Sequence, residues 1–157
     1  MLKLVVASLI VVATAAATAS ADTCRDGGHA IASITTWRFT GDATHPQRMD
    51  DKLEVLDTGA WRLDVVEDKG RFITHTEGCL AAADLASLRA AIAAADWKLA
   101  GNPVACDYAS DRTVEYVIGG KHVFDPASPC AAGVWDDVSK RAIAAVDTVA
   151  AAARKHP

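Results

Sequence analysis

The chain has 157 residues and a formal net charge of −4, with 16 Lys and Arg set against 20 Asp and Glu. The cations form no cluster, which argues against nucleic acid or an anionic membrane surface as a partner. The hydrophobic share of 51% is inflated by alanine, so a core must be carried by Leu, Ile, Val, Phe and the four tryptophans.

The first 21 residues, MLKLVVASLIVVATAAATASA, combine Lys3, an apolar run from Leu4 to Val12 and the small residues Ala19-Ser20-Ala21. This is the pattern of a cleaved secretory signal peptide, and the apolar run is too short for a membrane span, which needs roughly 20 such residues. The expected mature chain is residues 22–157, a single domain in a periplasmic or extracellular setting. "AIASITTWRFTG" (30–41) is rich in β-branched and aromatic residues and is expected as a strand, followed by a polar connection, "DATHPQRMDD" (42–51). Three more extended runs follow: "KLEVLD", "WRLDVVE" and "RFITHTEG" up to Cys79. Trp61, Leu63 and Val65 alternate with Arg62 and Asp64, as in a strand with one buried face.

The period changes in "LAAADLASLRAAIAAADW" (80–97), where Leu85, Leu88, Ile92 and Ala95 form a helical stripe expected to stop before Gly101-Asn102-Pro103. Thr113–Ile118 and Lys121–Asp125 then read as arms of a hairpin, with Gly119-Gly120 able to take the positive φ angles of a two-residue turn. Asp136 or Asp137 starts a last helix through Val138, Ala142, Val146 and Val149, closed by Arg154-Lys155. The order is β-β-β-β-α-β-β-α. It predicts an α+β fold with a mainly antiparallel sheet of about six strands and helices on one face.

Cysteines stand at 24, 79, 106 and 130 with no C-x-x-C, so zinc-ribbon and thioredoxin-like signatures are missing, and in an exported chain a disulfide framework is the default. Pairing Ile118 with Lys121 across the turn brings Cys130 opposite Ala109, three places from Cys106, within reach of a disulfide if the chain bends at Pro126 and Pro129. Cys106–Cys130 and Cys24–Cys79 are therefore the expected bridges.

Signals for chemistry are sparse. His75, Glu77 and Cys79 in "HTEGC" share a strand face and are all ligand types, but same-face neighbours sit about 7 Å apart and read as a solvated strand face. No Gly-x-Ser-x-Gly, spaced calcium loop or Gly-rich phosphate loop occurs, so no catalytic, metal or cofactor-binding residue is assigned and no cofactor is expected. Asp50-Asp51 reads as a turn. Trp37 and Trp61 fall in strand patterns and are expected in the core. Trp97 and Trp135 mark a helix end and a helix start, where an exposed ring would be a binding hot spot, and with the Gly119-Gly120 tip they are the candidate binding surface.

From Trp37 onward the arrangement is similar to that of two groups. "GCLAAADLASLRAAIAAADWK", "ACDYAS" and the "VIGGKHVF…PC" hairpin resemble small, secreted, alanine-rich proteins of unknown function from high-GC bacteria, a likeness that covers most of residues 60–130 and implies no activity. Phe39-Thr40-Gly41, Leu85/Leu88/Ile92 and Tyr116/Ile118/Gly119 resemble the pattern of emfourin-type inhibitors of thermolysin-like metalloproteases. The second likeness implies a compact β-rich domain that inhibits a secreted protease, although the four cysteines depart from that family's pattern. The expected function is thus a secreted or periplasmic non-catalytic binding domain, with a protease or other protein as partner. The alternatives are a small hydrolase whose site assembles only in three dimensions, and a structural or envelope-interaction module.

Overall fold

A computed structural model of the chain describes residues 24, 27–40, 47–67, 71–101, 112–126 and 134–155. The expected signal segment and both Cys106 and Cys130 lie outside the described residues. Elements follow the expected order: β1 (Ala30–Thr40), β2 (Gln47–Leu56), β3 (Ala60–Glu67), β4 (Arg71–Cys79), α1 (Ala82–Ala94), β5 (Arg112–Ile118), β6 (Lys121–Phe124) and α2 (Asp137–Ala153). The strands form one antiparallel sheet in the order β4-β3-β2-β1-β5-β6. A four-strand meander therefore grows from one edge of β1, and the β5–β6 hairpin adds to the other.

Turn chemistry sets the registers. Ile118 pairs with Lys121 across Gly119 (φ +59°) and Gly120 (φ +76°), two consecutive left-handed positions that side chains with a Cβ rarely occupy. Gly119 also donates its N–H to Ile31 O at 2.9 Å, which ties the hairpin tip to the start of β1.

The two-residue period of the strands sorts side chains onto two faces. Ala32 and Ile34, Leu53 and Val55, Trp61 and Leu63, and Tyr116, Ile118 and Val123 are buried on one face. Against them α2 places Ala142, Ile143, Val146, Val149, Ala150 and Ala153, and α1 packs alongside α2. Alanine contributes only a methyl to each contact, so most of the apolar volume comes from the strands. This division explains why the alanine-rich composition still yields a filled core.

Three expectations are corrected. The polar stretch before Lys52 is not all connection: β2 begins at Gln47 and pairs with β1 from Thr40↔Gln47 onward. Consequently Asp51 is not in a turn but on the buried face of β2, 4% exposed, in step with Leu53 and Val55. Its burial is compensated by Arg38, whose Nη2 donates to Oδ1 at 2.9 Å and Oδ2 at 2.7 Å. Secondly, α1 stops before Gly101 as expected, but it ends at Ala94 and does not include Ala95, the last residue of the expected stripe. Ala95 is already extended, the Asp96 carboxylate accepts from Lys98 N–H at 3.2 Å, and Trp97 turns the chain with φ +56°. The released segment then pairs with the lead into α2 through the Leu99↔Trp135 bridge. Thirdly, Trp37 is half-buried on the sheet face opposite the core, because it is out of step with Ala32, Ile34 and Thr36.

Helix α2 starts as its sequence suggests: the Asp136 side chain accepts the Ser139 N–H at 2.8 Å. Cys24 and Cys79 form the expected disulfide, with Cα atoms 5.8 Å apart, and it fastens the amino-terminal lead to the end of β4. Beside it, Gly78 lies under the Trp61 ring, where a Cβ would meet Cζ2 at 2.4 Å.

Two stability predictions follow from these contacts. Replacing both Cys24→Ser and Cys79→Ser opens a loop of 55 positions and should lower unfolding free energy in urea by roughly 4 kcal/mol on the chain-entropy account; a change below about 1 kcal/mol would show that the bridge constrains little. Gly78→Ala should cost about 1–3 kcal/mol in the same assay by forcing Trp61 off its packing.

Candidate functional site on the helix-free face of the sheet

With both helices on one side, the residues of opposite parity form the other face. In strand order it carries His75 and Glu77 on β4, Arg62 and Asp64 on β3, Lys52 and Glu54 on β2, Thr35 and Trp37 on β1, Glu115 and Val117 on β5, and His122 on β6. Cross-strand register and same-face spacing along a strand place charges of opposite sign next to each other. Lys52 Nζ reaches Glu54 Oε1 at 2.7 Å, and Arg62 Nε donates to Glu54 Oε2 at 2.7 Å, its Nη2 reaching the same oxygen. Burial alone would raise the Glu54 pKa, but hydrogen bonds from Lys52 and Arg62 outweigh it and hold the carboxyl below its ordinary range.

The neighbouring cluster centres on His75. Its Nδ1 lies 2.5 Å from Asp64 Oδ1 on the paired strand, and its Nε2 lies 2.8 Å from Glu77 Oε1 on its own strand. Hydrogen bonding to Asp64, then to Glu77, raises the imidazole pKa above 6.5, because the protonated ring donates to both carboxylates. On the far edge, His122 Nδ1 sits 3.0 Å from Glu115 Oε1. Both nitrogens of His75 are turned to carboxylates and Cys79 is in a disulfide, so the "HTEGC" residues do not converge on one point. Among the described residues no group of three or more His, Cys, Asp or Glu is arranged to hold a metal ion.

The residues proposed from sequence as a binding surface are distributed differently. Trp135 is 5% exposed: its Nε1–H donates to Phe124 O at 3.0 Å, and its ring is stacked with Phe124 and edge-on to Trp97, so it is a packing residue and not an exposed anchor. Trp97 is half-buried, held by its N–H donating to Ser139 Oγ at 3.1 Å. Gly119 and Gly120 are exposed at the hairpin tip. What stands out beside Trp135 is instead Phe124, 53% exposed, and Leu99, 50% exposed.

The helix-free face was not named from sequence. Alternation does mark it, in Arg62/Asp64 and His75/Glu77, but alternation cannot say which face the helices will cover. No family model matches the chain, and no curated protein or solved structure matches it. Among the described residues, no helix is long and apolar enough to cross a membrane.

The His75 contacts give a pH dependence with a definite sign. A raised folded pKa means the cluster's contribution to stability is complete below the ordinary imidazole value and is lost as pH rises through the raised one. NMR titration should find the His75 ring titrating above 6.5, and Asp64→Asn should bring its midpoint back toward that value. An unshifted midpoint in the unmodified protein would contradict the cluster.

Proposed function

We propose that the chain is an exported, non-catalytic binding domain that meets a protein partner on the helix-free face of its sheet, with inhibition of a secreted protease as its most concrete form. The observation that carries this reading is the one-sided covering of the sheet. Six strands present a broad surface of paired charges around the half-buried Trp37, and this surface takes no part in the core. Its charges are locally compensated, Glu54 by Lys52 and Arg62, and His75 by Asp64 and Glu77. Such a mosaic suits a partner with its own alternating charges, and gives specificity and association rate more than raw affinity. It does not suit a polyanion, in keeping with the acidic composition. Export draws support from the leader-like first 21 residues and from the Cys24–Cys79 bridge, since disulfides persist in oxidising compartments.

A second reading, attachment to an envelope component, is favoured by one specific feature. Phe124 and Leu99 expose apolar surface beside Trp135, at the β6 edge of the sheet, where Phe124 pairs with Glu115 at the margin of the charged mosaic.

The test is titration of the oxidised protein into a panel of secreted metallo- and serine proteases, with residual activity as readout. Stoichiometric inhibition of one class is expected, and charge reversals Arg62→Glu and Glu115→Lys should weaken it at least about tenfold while leaving circular dichroism unchanged. Absence of inhibition at micromolar protein would remove the inhibitor form within that panel. Capture of a partner that is insensitive to both reversals but lost in Phe124→Ser would move the interface to the apolar edge.

A further inference from the structure

The opposite, helix-covered face ends in a cluster whose donors outnumber its acceptors. Asp51 is buried on β2, and two guanidinium groups approach its Oδ2, from different layers of the fold: Arg38 Nη2 on β1 at 2.7 Å and Arg154 Nη2 at the end of α2 at 3.7 Å. One carboxylate cannot neutralise two cations. Arg38 spends only Nη2 on it, although a guanidinium offers five donors in a rigid fork, and Arg154 stands at ion-pair distance, beyond a hydrogen bond.

A second observation points the same way. Thr36 is directly cross-strand from Asp51, is 2% exposed, and its Oγ1 has no hydrogen-bond partner. Buried hydroxyls are ordinarily satisfied, so this one leaves an unspent polar group beside the buried carboxylate. At the α2 terminus, Ala150 O accepts from Arg154 N–H and Ala152 O from Lys155 N–H. Two further carboxylates, Asp50 on β2 and Glu67 on β3, stand at this end of the sheet, each engaged in an interaction of its own.

The geometry points to an oxyanion-binding site, for a carboxylate or phosphate group, formed by Arg38 and Arg154, with Asp51 as the residue that positions Arg38. The half-exposed guanidiniums, with side chains 50% and 38% accessible, bring the spare donors to the surface while their shared carboxylate stays buried. An anion placed across them offsets the repulsion between like charges and accepts in the bidentate geometry that arginine favours. The site is separate from the helix-free face, so it stands or falls independently of the proposed partner surface.

Inorganic phosphate and acetate, each titrated at constant ionic strength against chloride, provide the probes, with the Arg Nε–H resonances of the full oxidised chain as readout. Saturable shifts at Arg38 and Arg154 are expected with at least one of the two. Tighter phosphate binding assigns the site to phosphoryl groups, and tighter acetate binding to carboxylates. Arg154→Gln should weaken that binding at least roughly tenfold, since it removes a charge-assisted contact, while Arg38 continues to neutralise Asp51 and preserves the fold. Arg62→Gln, on the other face, should leave it unchanged. Shifts that grow linearly and equally with chloride, or an Arg154→Gln variant that binds as tightly as the parent, would overturn the site.

Discussion

A single sheet face supplies most of the large buried side chains of the described residues, and they meet a helix whose inward stripe mixes alanine with branched residues. Ile34, Leu53, Val55, Trp61, Leu63 and Ile118 come from strands, whereas Ala142, Ala150 and Ala153 alternate with Ile143, Val146 and Val149 on α2. Interiors pack at crystal-like density, so small groups on one layer require bulky groups on the other. The strand parity that supplies those bulky groups simultaneously commits the alternate residues to the far side. The charged mosaic of Lys52, Glu54, Arg62, Asp64, His75 and Glu77 is thus a by-product of the same alternation that builds the core.

Where the buried face runs out of apolar residues, the fold substitutes charge. Asp51 continues the row begun by Val55 and Leu53, and its burial is tolerable only because Arg38 and Arg154 approach it from two layers. The opposite end of the sheet is closed by backbone devices instead, with Gly119 bonded to Ile31 and Gly59 turning β2 into β3 at φ +88°. Polar and apolar closures at the two ends give the sheet a direction. Recognition of anions and the hairpin tip consequently belong to opposite ends.

Much of this architecture could be read from residues. The order of elements, the Gly-Gly hairpin register, the Asp136 start of α2 and the Cys24–Cys79 bridge all rest on local chemistry that leaves a mark in sequence. The misses share a cause, which is that the deciding contact was distant. The start of β2 was hidden because Asp50-Asp51 looks like a turn, and only Arg38 makes a buried aspartate acceptable there. The end of α1 was hidden because alanine is an excellent helix former up to the last residue, while the interruption comes from Ser139 and Trp135 on another element. Parity could have rescued two of these positions: Asp51-x-Leu53-x-Val55 marks Asp51 as inward, and Trp37 is out of step with Ile34. The candidate face required knowing where the helices lie.

The placement of β1 in the middle of the sheet bears on the order in which the fold can assemble. Among the described strands β1 is made first, and it pairs with β2 immediately but with β5 only after β3, β4 and α1 have followed. Through that interval one edge of a long strand carries open backbone groups, the situation in which chains most readily pair with the wrong neighbour. Both cysteines of the Cys24–Cys79 bridge belong to the portion made before β5. The covalent link can therefore secure the meander while its β1 edge still waits for a partner, acting as a staging device during biogenesis as well as a staple of the finished protein.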